Sequence, residues 1–330
     1  MTLNDWRLPA ALARRIVFGG HGMKIRLWTV VLCLMSAGVA TAAETAPPVK
    51  MIVTAAFVSE RGIGVYKDLA GYLTKKLGRD VSVVSGLSYR ESDLLLEQGI
   101  IQVGFVCGLP YTQAAALGKQ QLVAIPVMAT RRGEFPDTPG YEQVPGKYYS
   151  YTIVRKDSPL SSWAGLKGGS YAYNEQTSNS GYNMPRYKLV QLGARSWEDW
   201  FSRIVVSGSH EESIRLVARG VVDASSVDSM VLDFDRHIGN PDALNVKIIE
   251  VLFPGGAGAP PVVISSRADP VLRTALTAAL VGMHQEPEGR EILSRARLLR
   301  FDPPNDHNYD DIRRMARAAH KAGFRDHVPR

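Results

Sequence analysis

From residue 51 to residue 253, short apolar runs rich in β-branched residues alternate with stretches at helical spacing, and this alternation limits the fold more than any other feature. The first run covers 51–58. Val65, Leu69, Tyr72, Leu73 and Leu77 follow on one helical face and stop at Gly78. Further strand signals lie at 81–84, 100–106 and 122–128, with helical stretches at 91–98 and 111–117 between them. Strands joined through helices return in the same direction, so the pattern predicts α/β architecture with mostly parallel sheets flanked by helices. Gly133, Pro136, Pro139, Gly140, Pro145 and Gly146 interrupt the rhythm over 131–147. A second series then begins, with strands predicted at 148–155, 170–174, 204–207, 222–226 and 246–253 and helices at 160–166, 187–192, 209–219 and 229–237. The Pro/Gly-rich stretch 254–261 reads as a return crossover. A strand at 262–265 and three amphipathic helices, at about 268–283, 286–297 and 309–322, finish the chain. The expectation is two lobes, 44–147 plus 254–330 and 148–253, in keeping with 330 residues and ~100–200 residues per domain.

The formal net charge of +7 invites a nucleic-acid or membrane-surface reading. Its distribution argues otherwise. Arg7, Arg14, Arg15, Lys24 and Arg26 face a single acid, Asp5, within the first 42 residues. An uncharged run from Leu27 to Val39 follows, then Ala40-Thr41-Ala42-Ala43. A basic start, a short apolar run and an Ala-x-Ala end have the layout of a secretory signal, so residues 1–43 are read as a signal segment cleaved near Ala42-Ala43, with Met23 a candidate true start. The apolar run falls short of the ~20 residues that span a bilayer. Without residues 1–42 the balance is 34 basic to 31 acidic residues, a net +3. Cys33 leaves with the signal, and the remaining Cys107 reads as a buried hydrophobe. The mature protein is expected to be exported, monomeric and free of nucleic acid.

Three segments carry candidate chemistry. Asn174-Glu175-Gln176-Thr177-Ser178-Asn179-Ser180-Gly181-Tyr182 lies between a predicted strand and helix, without Lys or Arg from 168 to 185. Its hydroxyls and free backbone N–H groups gather at a helix start, where the dipole favours anions. Ser207-Gly208-Ser209-His210-Glu211-Glu212 repeats the arrangement; Ser209 and Glu212 have capping-box spacing, which puts His210 in the first helical turn. Val227-Asp228-Ser229-Met230 follows the strand at 222–226. An ionised Asp228 only accepts hydrogen bonds, so it would favour an oxygen that still carries a proton over a fully deprotonated anion such as sulfate. Each segment alone reads better as an ordinary helix cap. Their shared position, at strand ends in one lobe, shifts the reading to a ligand site. Ser88-Tyr89-Arg90 and Gly108-Leu109-Pro110-Tyr111 occupy equivalent positions in the other lobe and offer phenolic donors for an opposite wall. No nucleotide-binding glycine motif, zinc motif or cysteine pair occurs, so no cofactor and no metal is expected.

Ser178-Asn179-Ser180-Gly181-Tyr182, Gly208-Ser209-His210-Glu211-Glu212-Ser213 and Val222 through Ser229 together resemble the periplasmic solute-binding proteins for phosphonate, phosphite and phosphate, a type II periplasmic-binding-protein family of ABC importers. Leu73 through Gly78, Tyr89 and Pro110-Tyr111 match the family's first-lobe pattern. The resemblance implies two α/β lobes joined by two crossover strands and closing on a phosphorus oxyanion, with a membrane permease as partner. It implies that Ser178, Asn179 and Ser180 hold phosphoryl oxygens with backbone N–H help, Thr177 being a further ligand-binding residue, that His210 donates, that Asp228 accepts from a protonated oxygen, and that Tyr89 and Tyr111 close the far side. Asn179 stands where the family commonly has Thr. Met230 stands where aminoalkylphosphonate binders carry a carboxylate, which favours compact anions. Two rival readings remain at this point. One is a receptor-coupled sensory binding protein; the other is a hydrolase using Ser180, His210 and Asp228, against which stands the lack of a Gly-x-Ser-x-Gly elbow.

Overall fold

The first apolar run forms β1 (Val49–Val53), buried on both faces as a strand inside a helix-covered sheet must be. The computed structural model describes residues 47–54, 62–129 and 145–328, which belong to one compact unit spanning 45–330. The signal segment 1–43, the end of the first predicted strand and the interruption at 131–144 lie outside the described residues.

After β1 come α1 (Ile63–Leu77), β2 (Val81–Val84), α2 (Tyr89–Glu97), β3 (Val103–Phe105), α3 (Gly108–Ala116) and β4 (Gln120–Met128). Helix α1 ends where predicted: Gly78 adopts φ 63° and returns its N–H to the Thr74 carbonyl, a left-handed cap that glycine reaches without Cβ strain. The chain then crosses as β5 (Lys147–Arg155) and builds β6 (Ser170–Tyr173), α4 (Met184–Gln191), β7 (Arg203–Val206), α5 (His210–Ala218), β8 (Ala224–Asp228), α6 (Ser229–His237), α7 (Pro241–Leu244) and β9 (Val246–Gly258). It returns through β10 (Val262–Ser265), α8 (Pro270–Gly282), α9 (Pro287–Arg295), β11 (Leu298–Asp302) and α10 (Asp310–Lys321).

Two sheets result, ordered β11-β4-β10-β3-β1-β2 and β7-β6-β8-β5-β9. Each has a parallel centre, β2-β1-β3 in one and β7-β6-β8 in the other, as the strand–helix alternation predicts. The crossover and C-terminal strands add antiparallel pairs, so the sheets are mixed. The reason is topological: β5 and β9 enter and leave the second sheet side by side, so they must run in opposite directions. The predicted crossover at 254–261 is partly strand, because β9 runs on to Gly258. Opposite Tyr149 it bulges through Phe253, Pro254, Gly255 and Gly256 before Ala257 pairs with Tyr148. Gly256 has φ 71°, and a Cβ there would lie 2.9 Å from that of Lys147, so a side chain has neither the dihedral nor the room.

Three expectations need correction. The predicted helix at 160–166 is a single 3-10 turn, Ala164–Leu166. The predicted strand at 222–226 is shifted, since β8 runs from Ala224 to Asp228. The C-terminal helices are divided by β11, a short edge strand whose Arg300 and Asp302 hide its strand character; such charge protects an edge from further pairing.

Behind the second sheet the fully buried Trp197 lies among Tyr173, Tyr171, Tyr182 and Phe324, with ring centroids 5.1 to 6.4 Å away. Offset and edge contacts of this kind add to the area that large aromatics remove from water. Among the described residues no helix is long and apolar enough to cross a membrane.

Candidate ligand-binding site

The end of β6 leads through 174–178 into a wide π-type turn, Asn179–Asn183, that opens α4. Ser178 caps the turn: its Oγ accepts the Gly181 N–H at 3.0 Å and its carbonyl accepts the Asn183 N–H at 3.0 Å. Gly181 cannot carry a side chain, because a Cβ would fall 2.0 Å from Asn174 Oδ1. Asn174, Ser178, Asn179, Ser180 and Asn183 are all fully buried.

At the start of α5, Ser209 Oγ accepts the Glu212 N–H at 3.0 Å, which gives half of the predicted capping box. The Glu212 carboxylate pairs with Arg215. This cap aims His210 inward, wholly buried, with Nε2 3.3 Å from Ser180 Oγ and 3.2 Å from Asn174 Nδ2. The Asp228 backbone N–H donates to His210 Nδ1 at 3.3 Å, so the ring proton belongs on Nε2, where Ser180 Oγ can accept it and the Asn174 NH2, itself a donor, cannot. Burial pushes the His210 pKa down to about 3 and keeps the ring neutral.

Asp228 plays two parts. Its Oδ1 caps α6 by accepting the Met230 N–H at 2.7 Å, the ordinary role that the sequence allowed. Its Oδ2 is buried without a hydrogen-bond partner. Burial pushes the pKa well above the usual carboxylate range. Ionising this carboxyl is therefore costly, and a bound oxyanion that carries a proton could share it with Asp228. Asn174 Oδ1 and Thr177 Oγ1 are likewise buried and unpartnered, so the polar inventory of the loop is incomplete by itself.

The first sheet supplies the facing wall. Tyr89, at the first position of α2, is buried, and its Oη accepts from Asn174 Nδ2 at 3.3 Å. Its backbone N–H donates to the Glu175 carboxylate at 3.1 Å, so the α2 start and the β6 loop are in direct contact. Cys107, the residue before α3, accepts the Asn179 N–H on its Sγ at 3.1 Å. Its buried thiol is pushed up to about 12 and stays protonated.

Of the predicted residues, the structure gathers Ser178, Asn179, Ser180, His210, Asp228 and Tyr89 in this buried cluster, with Thr177 beside it. It does not bring Tyr111 there. The Tyr111 hydroxyl donates to Asp306 at 2.6 Å, and its ring meets Tyr309 edge-on at 4.9 Å, so it braces α3 against the C-terminal region. Tyr148 was missed: it starts the crossover strand, and its Oη accepts from Asn179 Nδ2 at 2.9 Å. Its place before a β-rich run made it look like strand filler, and no local spacing marks it as a site residue.

The cluster offers neutral donors together with the unpartnered acceptors Asp228 Oδ2 and Asn174 Oδ1, which suits capture of a protonated oxyanion. A Ser-His-Asp triad needs a carboxylate that accepts from the histidine's second N–H. Here that nitrogen is itself an acceptor from the Asp228 backbone, so the relay is not assembled. Among the described residues no group of His, Cys, Asp and Glu could hold a metal ion.

The family model described as "ABC transporter, phosphonate, periplasmic substrate-binding protein" matches residues 51–309. The chain belongs to this family. Its role is therefore to bind a solute in the periplasm for an ABC transporter with a membrane permease, and the family is one of transport proteins, not enzymes. Among solved structures, the binding protein component of an ABC phosphonate transporter from Pseudomonas aeruginosa is similar at TM-score 0.73 and 16% identity, covering 84% of this chain and 88% of that one. PhnD1 from Prochlorococcus marinus, in complex with methylphosphonate, is similar at TM-score 0.69 and 18% identity, covering 84% and 100%. The aliphatic sulphonate binding protein SsuA from Escherichia coli follows at TM-score 0.54 and 15% identity, covering 84% and 93%. At these identities the likeness shows the fold, that of type II periplasmic binding proteins. Among curated proteins, no sequence matches this chain.

Proposed function

We propose that this phosphonate-family binding protein captures a small phosphorus oxyanion, namely phosphate, phosphite or a simple alkylphosphonate, between the β6 loop and the α2 start. The observation that carries this reading is the buried, unpartnered Asp228 Oδ2 beside Ser180 and the neutral His210. A tetrahedral oxyanion with one proton would accept from the Ser180 hydroxyl and from His210 Nε2, while the ionised Asp228 carboxylate takes or shares the proton. Sulfate brings no proton at neutral pH and would set bare oxygens against the carboxyl. Met230, buried next to Asp228, gives an aminoalkyl substituent no counter-charge. The methylphosphonate in the Prochlorococcus relative agrees with a compact ligand.

Capture works by hinge closure of lobe 44–147 plus 254–330 on lobe 148–253, with the bends near residue 147, where β5 begins, and near residue 254 within β9. Residues 1–43 direct export, Ser178, Asn179 and Thr177 shape the anion loop, and Tyr89 closes the far side. Isothermal titration with phosphate, phosphite, methylphosphonate, 2-aminoethylphosphonate and sulfate tests the reading. Binding of at least one compact phosphorus anion, with weak or absent binding of the aminoethyl compound and sulfate, is expected. Failure to bind any phosphorus anion would overturn it.

A further inference from the structure

The C-terminal segment 324–328 lies beyond the span that the family model matches, yet it touches the anion loop on both sides. Asp326 Oδ1 accepts from the Tyr182 hydroxyl at 2.7 Å and from Arg186 Nη1 at 3.0 Å, both on the downstream side of Ser178-Asn179-Ser180. On the upstream side, Gln176 Nε2 donates to the His327 carbonyl. The segment is pinned at its own ends. The Arg325 N–H donates to the Arg195 carbonyl at 2.8 Å, His327 Nδ1 sits 2.7 Å from Glu198 Oε1, and Phe324 packs on Trp197 at 6.4 Å. Arg186 also donates to Asn183 Oδ1 at 3.1 Å and stacks over the Tyr182 ring at 5.4 Å, so the Asp326 contacts reach the turn that aims Ser180.

We propose that segment 324–328 is a strap that positions the anion loop, with Asp326 its positioning residue acting through Tyr182 and Arg186. The physical need is clear. A π-type turn is rare and opens the backbone at Asn179–Asn183, so its shape must be imposed by neighbours. Helix α10 packs against both α3 and α4, which brings the strap to the loop from a helix that also touches the first sheet's side. An exposed ion pair alone would do little, but Tyr182 is 1% exposed and its hydroxyl has Asp326 as partner. Loss of the carboxylate takes away the acceptor for that hydroxyl's proton and loosens the turn.

The proposal rests on the anion-loop reading above, and two measurements separate them. In ligand-free full-length protein, Asp326→Ala is expected to raise amide hydrogen exchange over 176–186 and to leave β1, β2 and β3 unchanged. Against the best-binding phosphorus anion, it is expected to weaken affinity roughly three- to ten-fold, mainly through faster dissociation. Tyr182→Phe should do the same, and the double variant should be no worse than either single one. Asp326→Asn, which keeps an acceptor for the hydroxyl, should recover most of the loss and serves as the comparison if the alanine variant unfolds. Unchanged exchange over 176–186, or independent addition of the two single effects, overturns the strap. If wild-type protein binds no phosphorus anion, the ligand reading fails, and the exchange experiment still decides the strap.

Discussion

His210 Nδ1 accepts the backbone N–H of Asp228 at 3.3 Å, and this single contact sets which face of the ring can donate to a ligand. It also ties histidine protonation to unfolding. The folded pKa, about 3, lies below the ordinary value, so the stability from burying a neutral ring is present above the unfolded value of ~6.5 and is lost as pH falls toward the folded one. His210→Gln should therefore show a shallower loss of stability between about pH 6.5 and about pH 3 than the wild type. Denaturant unfolding of ligand-free protein at a series of pH values checks this, and equal slopes would contradict it.

Asp228 has the opposite sign. Its folded pKa is raised, so its contribution is full below the unfolded carboxyl value of ~3.9 and is lost as pH rises through the folded value. Asp228→Asn keeps the Oδ1 cap on Met230 and removes the ionisable group. The ligand-free variant should melt higher than wild type at about pH 8 and with little difference at about pH 4. Its affinity for phosphorus oxyanions should fall at least tenfold, since a shared proton can no longer be accommodated. Melting curves at the two pH values, paired with titration calorimetry, separate the gain in stability from the loss in binding.

Wild-type affinity should itself decline toward alkaline pH. When both the ligand and Asp228 have lost their protons, two negative oxygens face each other in a buried site. Calorimetry in buffers of different ionisation enthalpy should reveal proton uptake on binding a dianion. A flat affinity profile between about pH 6 and about pH 9 would argue against Asp228 as the proton partner.

Asn179 links three elements. Its side chain donates to Tyr148 Oη and accepts from Asn183 Nδ2, and its backbone N–H goes to Cys107. Asn179→Ala leaves the Tyr148 hydroxyl and the Asn183 amide without this partner in a buried setting, at a cost of about 1–3 kcal/mol. Tyr148→Phe removes one of the two groups and should cost less. Urea denaturation of both variants ranks them.

Gly181→Ala tests the loop sterically. The new methyl would displace Asn174, whose amide contacts both Tyr89 and His210. Ligand binding should be lost while most of the fold survives, as read by circular dichroism alongside calorimetry.

The sequence carries much of this arrangement because its signals are local. Ser88, Ser178, Ser209 and Asp228 each cap a helix or turn within a few residues of themselves, and such caps are written in short spacing. The strand–helix alternation likewise places β1 to β3 and β6 to β8 in parallel. What was illegible depends on distant contacts. Tyr148 becomes a site residue only because β5 starts beside Asn179, and Tyr111 is diverted by Asp306, almost two hundred positions later. The antiparallel additions β10 and β11 follow from return of the chain to the first sheet, which no window of neighbouring residues reports.

The Cys107 thiol, seated under the Asn179 N–H, turns the protein into its own clock. Under the proposed hinge motion, drawing the β6 loop and the α3 start apart would expose this buried sulfur to a small thiol reagent. The rate of Cys107 labelling therefore counts openings, and a bound solute that holds the two sides together should slow it in proportion to occupancy.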